Sequence, residues 1–180
     1  MKYTYTVGEQ NFLNFQLYHI SQTDGYKSKL RRQPLFIMLL NIALSAYFFA
    51  EKNYIVGSIF IVIGILWFIL YPNRIRRMYH AKFENEIQSK YANQFGHTAQ
   101  LEITDDYLKT TDKGGSSEKR YSDILRIIHL PEETLVIFKN KQTFILPKAT
   151  TENYTQMVAD LNEKASQKAI KILDLPNWKW

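Results

Sequence analysis

The stretch LFIMLLNIALSAYFFA (35–50), EKN (51–53), YIVGSIFIVIGILWFILY (54–71) decides how this chain is read. The first run has 16 residues and the second 18, and neither carries a charge. As helices they reach about 24 and 27 Å, slightly short of a hydrocarbon core of about 30 Å, a gap that Gln33, Pro34 and the loop can close. Two such runs joined by a tight turn read as a membrane hairpin. The alternative, a pair of buried helices in a soluble core, suits isolated runs of 10–14 residues better.

The hairpin and its basic flanks take up about a quarter of 180 residues, and the remainder is too short for two large domains. The whole-chain mean hydropathy of −0.29 looks soluble only because polar flanks dilute the apolar runs. No cysteine is present, which excludes disulfides, thiolate metal sites and a cysteine nucleophile. Residues 1–30 contain no apolar signal core, so the hairpin itself is expected to direct insertion. Lys27, Lys29, Arg31 and Arg32 precede it, and Arg74, Arg76, Arg77 and Lys82 follow it, whereas the loop holds one lysine and one glutamate. The positive-inside rule therefore predicts a multi-pass protein of the plasma (inner) membrane with both termini cytoplasmic. The net charge of +6 is explained by contact with an anionic inner leaflet, and no basic face or binding motif points to nucleic acid.

Before the hairpin, residues 2–7 alternate as a half-buried strand, and residues 9–21 read as a helix. Asp24-Gly25 marks a turn and Pro34 suits the opening of the first membrane helix. Ala43, Ala46 and Ala50 share one face of that helix, and Gly57 and Gly64 one face of the second, so these small-residue faces are expected to meet. Asn41 suits an interhelical hydrogen bond better than a relay site, because no ionisable residue accompanies it. Tyr79, Phe83, Ile87 and Tyr91 recur every four residues and continue a helix to about Gly96.

From residue 98 short strands alternate with turns: 99–104, 107–111, 119–122, 124–130, 134–139 and 142–146, with Asp105-Asp106, Lys113-Gly114-Gly115-Ser116-Ser117, Pro131-Glu132-Glu133 and Asn140-Lys141 between them. The glycine pair lacks the spacing of a phosphate-binding loop. Residues 151–173 form an amphipathic helix with Tyr154, Met157, Val158, Leu161 and Ala165 on one face, capped by Thr150 or Thr151 and stopped by Pro176. Trp178 and Trp180 suit either lipid headgroups or packing on the domain.

The order of these elements, with Leu101-Glu102-Ile103-Thr104-Asp105-Asp106-Tyr107-Leu108, Tyr121-Ser122-Asp123-Ile124-Leu125-Arg126-Ile127 and Gln142-Thr143-Phe144-Ile145-Leu146-Pro147-Lys148, resembles the bacterial YcxB-like family. The resemblance implies an α+β membrane protein, a two-helix transmembrane hairpin carrying a small cytoplasmic antiparallel β domain of pleckstrin-homology-like form, closed by a C-terminal helix. It implies no activity and supplies no catalytic residues. Tyr121, Ser122, Ile124, Pro147 and Lys148 are carried over as structural residues, with Ser122 bonding its local backbone and Pro147 halting the last strand.

The expected organisation is a strand and helix lead (1–33), the hairpin (34–73), a connecting helix (74–97) and the β domain with its closing helix (98–180). His19, His80, His97 and His129 are scattered, no nucleophile elbow or nucleotide fingerprint occurs, and no enzyme, metal or cofactor is expected. The leading reading is a membrane-anchored interaction or regulatory module facing a protein partner or a second copy of itself. Anionic-lipid recognition through Lys139, Lys141, Lys148 or the arginines beside the membrane is the alternative. A transporter or channel subunit is weaker, because two helices alone enclose no path.

Overall fold

The computed structural model describes residues 1–91 and 95–180. Its elements are β1 (Lys2–Thr6), α1 (Glu9–Gln22), α2 (Asp24–Ala50), α3 (Tyr54–Lys90), β2 (Thr98–Ile103), β3 (Tyr107–Asp112), β4 (Gly115–Arg120), β5 (Ile124–His129), β6 (Glu133–Phe138), β7 (Thr143–Pro147), α4 (Tyr154–Gln167) and β8 (Lys171–Asp174). The chain is α+β, with two long apolar helices on its N-terminal side and a C-terminal sheet domain. Two compact units form: Met1–Phe15 with Glu86–Trp180, and Gln16–Asn85.

The sheet unit holds two four-stranded sheets, ordered β1-β2-β3-β4 and β7-β6-β5-β8. Every pairing is antiparallel except β5 with β8. Alternation sets the inner face: in β2, Ala99, Leu101 and Ile103 point inward while Thr98 and Gln100 face out. In β6 the alternation disappears and residues 133–136 are all buried, the signature of a strand covered on both faces. Residues of both sheets and of α4, including Leu101, Leu108, Ile127, Val136, Phe138, Leu146, Met157 and Leu161, make one core.

The first strand belongs to this unit. Tyr3 pairs with Leu101 and Tyr5 with Ala99, and both tyrosines enter the core. Tyr3 also donates its hydroxyl to Asp160 of α4. Across the other edge of β1, Thr4 O accepts from Glu152 N at 2.9 Å and Thr6 O from Thr150 Oγ1 at 2.6 Å. A segment grouped by sequence with the lead to the hairpin is thus a sheet strand.

Several local readings change. Asp24 is not in a turn: Thr23 caps α2, accepting from Tyr26 N, and Asp24 lies in the first turn, where its carboxylate suits the helix dipole. Pro34 consequently lies inside α2 rather than at its start. The closing helix stops at Gln167, and residues 171–174, of which 171–173 are expected to be helical, pair in parallel with β5. Its N-cap is Asn153 in the left-handed region, because Thr150 and Thr151 spend their hydroxyls on Thr6 O and Pro147 O. Near Gly115, the expected five-residue loop is shortened, since β4 begins at that glycine, whose φ of 137° is open to glycine alone. Helix α3 ends at Lys90, short of Gly96; residues 92–94, inside the connecting helix expected over 74–97, lie outside the described residues.

In the helical unit, α2 and α3 run antiparallel as a hairpin closed at Lys52, which takes a φ of 56°. Phe48 and Phe60 stack with centroids 5.5 Å apart, and Tyr26 meets Tyr79 edge-on at 5.3 Å. Tyr71 OH donates to Gln33 Oε1 and Lys29 Nζ to Tyr79 OH, at 3.1 Å. The helices approach at Gly64, where an added Cβ would stand 3.1 Å from Asn41 Cβ, and at Gly57, where it would stand 2.5 Å from the Phe49 ring. Gly57 and Gly64 therefore lie on the seam. Ala43, Ala46 and Ala50 do not, and all three are exposed. The seam of α2 follows Asn41 and Ser45, and at 100° per residue Ala43 lies on the opposite side. Asn41 donates to Ile37 O of its own helix at 2.8 Å rather than across the hairpin.

Candidate functional site

Among the described residues, most of the exposed large apolar side chains lie on the outside of the α2–α3 hairpin. Leu35, Phe36, Leu39, Leu40, Tyr54, Ile55, Ile69 and Leu70 are all at least 45% exposed. The 18-residue apolar window of each helix is only 11% buried. A core helix of a water-soluble domain buries such a stripe, and here it stands open on nearly all sides.

Basic residues gather beside this band. Lys27, Arg31 and Arg32, with Asp24 and Ser28, line a hollow of about 450 Å³ at the start of α2. Lys27 and Arg31 are one helical turn apart, so their charges project together. Lys29 takes a different role, since its ammonium lies 5.5 Å over the Tyr79 ring. Arg74, Arg76 and Arg77 are exposed on α3.

In the sheet unit, the residues expected to be structural are dispersed. Tyr121 is buried and donates to Thr104 O at 3.0 Å, and burial pushes its phenol up to about 12. Ser122 is exposed on the rim of a hollow of about 620 Å³ shared with Asp106, Glu118, Arg120 and Lys168; no bond to its local backbone forms among the described residues. Ile124 opens β5 from the core, and Pro147 ends β7, its carbonyl accepting from Thr151. Lys139, Lys141 and Lys148 are exposed. Asp105, in the β2–β3 turn, accepts from Lys164 Nζ at 2.6 Å, and that ammonium holds its carboxyl below the ordinary range.

Two polar arrangements escaped the sequence. The first joins β5, β6 and α4. His129 Nε2 lies 3.0 Å from Asn162 Oδ1, His129 Nδ1 lies 2.8 Å from Thr134 Oγ1, and Thr134 Oγ1 lies 2.7 Å from Tyr154 OH. Asn162 Oδ1 only accepts, so His129 Nε2 donates to it, and Thr134 Oγ1 bridges His129 Nδ1 and Tyr154 OH. The chain of donors closes with each partner used, which marks it as structural.

The second is Glu133, fully buried at the start of β6. Its Oε2 accepts from Asn11 Nδ2 of α1 at 3.1 Å, while Oε1 is shut off from solvent without a partner. Burial, reinforced by the neighbouring Glu132, pushes this carboxyl up to about 8, against a smaller opposing effect of the Asn11 bond. Glu133 forms part of the wall of a groove of about 360 Å³ with Pro131, Glu132, Pro176, Trp178 and Trp180. The sequence assigned Glu133 to a turn because it follows Pro131-Glu132.

Among the described residues no three His, Asp or Glu side chains gather to hold a metal ion. The chain matches no protein-family model, no curated protein and no solved structure.

Proposed function

We propose that this chain is a non-enzymatic, membrane-anchored interaction module of the YcxB-like kind. Helices α2 and α3 cross the inner membrane as a hairpin, and a pleckstrin-homology-like sheet domain faces a protein partner in the cytoplasm. The observation that carries the reading is the apolar outside of the hairpin: side chains such as Phe36, Ile55 and Leu70 remain open although the helices already pack on each other. Lipid is the solvent such a surface fits. The pairing of β1 with β2 supports the topology, because residues before and after the hairpin join one sheet, so the chain has to return to the side it left. Cationic flanks assign that side to the cytoplasm.

For the sheet domain, β4 offers a partner an open sheet edge, with Gly115, Ser116, Glu118 and Arg120 exposed along it. Anionic headgroups are the second reading, favoured by the hollow lined by Lys27, Arg31 and Arg32. An alkaline carbonate wash of membranes from expressing cells tests the anchor. The chain stays with the membrane pellet on this reading, and its release into the wash would remove it.

A further inference from the structure

The first sheet ends in β1 at one edge and β4 at the other, and only the β1 edge is covered. Met1 N donates to Ile103 O at 2.7 Å and Ile103 N to Met1 O at 2.8 Å, so bonded pairs alternate from there and Thr4 and Thr6 direct their carbonyls away from β2. Those carbonyls are taken by Glu152 N and Thr150 Oγ1. At the opposite edge Tyr121 N donates to Asp106 O. The same alternation turns Ser117 and Lys119 toward β3 and leaves the N–H and C=O groups of Ser116, Glu118 and Arg120 facing outward. Among the described residues no backbone group meets them, and neither Glu118 nor Arg120 is in an ion pair.

Glu118, Lys119 and Arg120 are all charged, so this edge opposes most strands that could add to it. It does match its own sequence run backwards. In a twofold antiparallel pairing centred on Lys119, Glu118 of each copy lies opposite Arg120 of the other, so opposite charges meet on the exposed face and these residues exchange their outward backbone bonds. Centred on Glu118, the pairing would set two carboxylates face to face; centred on Ser117, it would bring no opposite charges together. The cost is Lys119 facing its own copy, which the long stems reduce by letting the ammonium groups part into water. We propose that β4 is a self-recognition edge: two copies of this chain join through antiparallel β4 strands, with Glu118 of one against Arg120 of the other and Lys119 on the twofold axis. Self-pairing rests on the reading of β4 as the edge offered to a protein partner, and it makes that partner a second copy.

The absence of cysteine lets cross-linking read the register. On the axis, position 119 faces itself with Cα atoms about 4.5 Å apart, inside the disulfide range, whereas positions 118 and 120 each stand about 8 Å from their own copy, outside it. The full chain carrying Lys119→Cys, Glu118→Cys or Arg120→Cys is oxidised with copper phenanthroline in membranes and in neutral detergent, and linked dimer is read on non-reducing gels. Lys119→Cys is expected to give far more dimer than the other two. In sedimentation of the cysteine-free chain in detergent, Glu118→Arg is expected to weaken association about tenfold, and Glu118→Arg combined with Arg120→Glu to restore it. The charge swap keeps the test standing should Lys119→Cys fail to fold.

A chain that stays monomeric, a linked dimer formed preferentially by Glu118→Cys, or a charge swap that restores nothing would overturn the proposal. Thiol-reagent labelling of monomeric Glu118→Cys separates the two readings. A reactive cysteine without dimer removes self-pairing and leaves the edge open to another protein, whereas an unreactive one removes the open edge as well.

Discussion

Glu133 shows how one residue ties stability to pH. Its folded pKa of about 8 lies above the ordinary 4.5, so between those values the folded chain holds a proton that the unfolded chain has released. Stability is then fullest below the ordinary value and falls as pH rises through the folded one, a loss on the order of 3–5 kcal/mol. Thermal melts from about pH 5 to about pH 9 should show a falling midpoint, and Glu133→Gln should flatten it. A midpoint that rises with pH equally in both proteins would contradict the assignment. Such a residue is hard to read from sequence, because a glutamate after Pro131-Glu132 has the composition of a turn. Only the burial of both faces of β6, together with Asn11 arriving from α1, makes it interior.

The glycines of the hairpin also act one at a time. At Gly64 a side chain would press on the Cβ of Asn41, which is fixed to its backbone, whereas at Gly57 it would press on the Phe49 ring, which can swing away. Gly64→Leu should therefore disrupt the hairpin, lowering its thermal midpoint in detergent far more than Gly57→Ala does. Equal effects of the two would argue against the seam described. The sequence reading put both glycines on a close-approach face. It mistook the partner face, since a stripe of alanines looks more permissive than one carrying Asn41 and Ser45.

Among the elements, long runs with one dominant signal were legible. The hairpin helices announce themselves by unbroken apolar length, α4 by its amphipathic period, and the hairpins of the sheets by regular turns. Short elements fixed by distant partners were not. Residues 171–174 continue the composition of a helix, and only pairing with β5, set by the Pro-free Lys171-Ile172-Leu173-Asp174 run, makes them a strand. Leu161 of α4 is fully buried in the core, and Ile172 of β8 is partly buried against it. Leu161→Ala should cost about 3 kcal/mol and Ile172→Ala about 1 kcal/mol in denaturant titrations. No loss for Ile172→Ala would mean that β8 is not packed on the sheet.

At the scale of the molecule, the least legible fact is the most consequential. Lys2-Tyr3-Thr4-Tyr5-Thr6 reads as a strand from its alternation, yet nothing local says that its partner is Thr98–Ile103, on the far side of the whole hairpin. Non-local pairing of this kind leaves no periodic trace. It makes the two long helices an insertion between strands of one sheet. On the topology we propose, the positive-inside rule puts Lys27, Arg31, Arg32, Arg74 and Arg77 on the cytoplasmic side and the Glu51-Lys52-Asn53 loop on the other.

The absence of cysteine from the chain makes that topology directly measurable. Single substitutions Glu51→Cys, Lys113→Cys and Ser166→Cys, all at exposed positions, can be treated in intact cells with a membrane-impermeant thiol reagent. Labelling at position 51 alone, with 113 and 166 reacting only after the cells are opened, is the expected result. Labelling at 113 and 166 in intact cells, or at none of the three until the cells are opened, would contradict a membrane hairpin with its sheet domain in the cytoplasm.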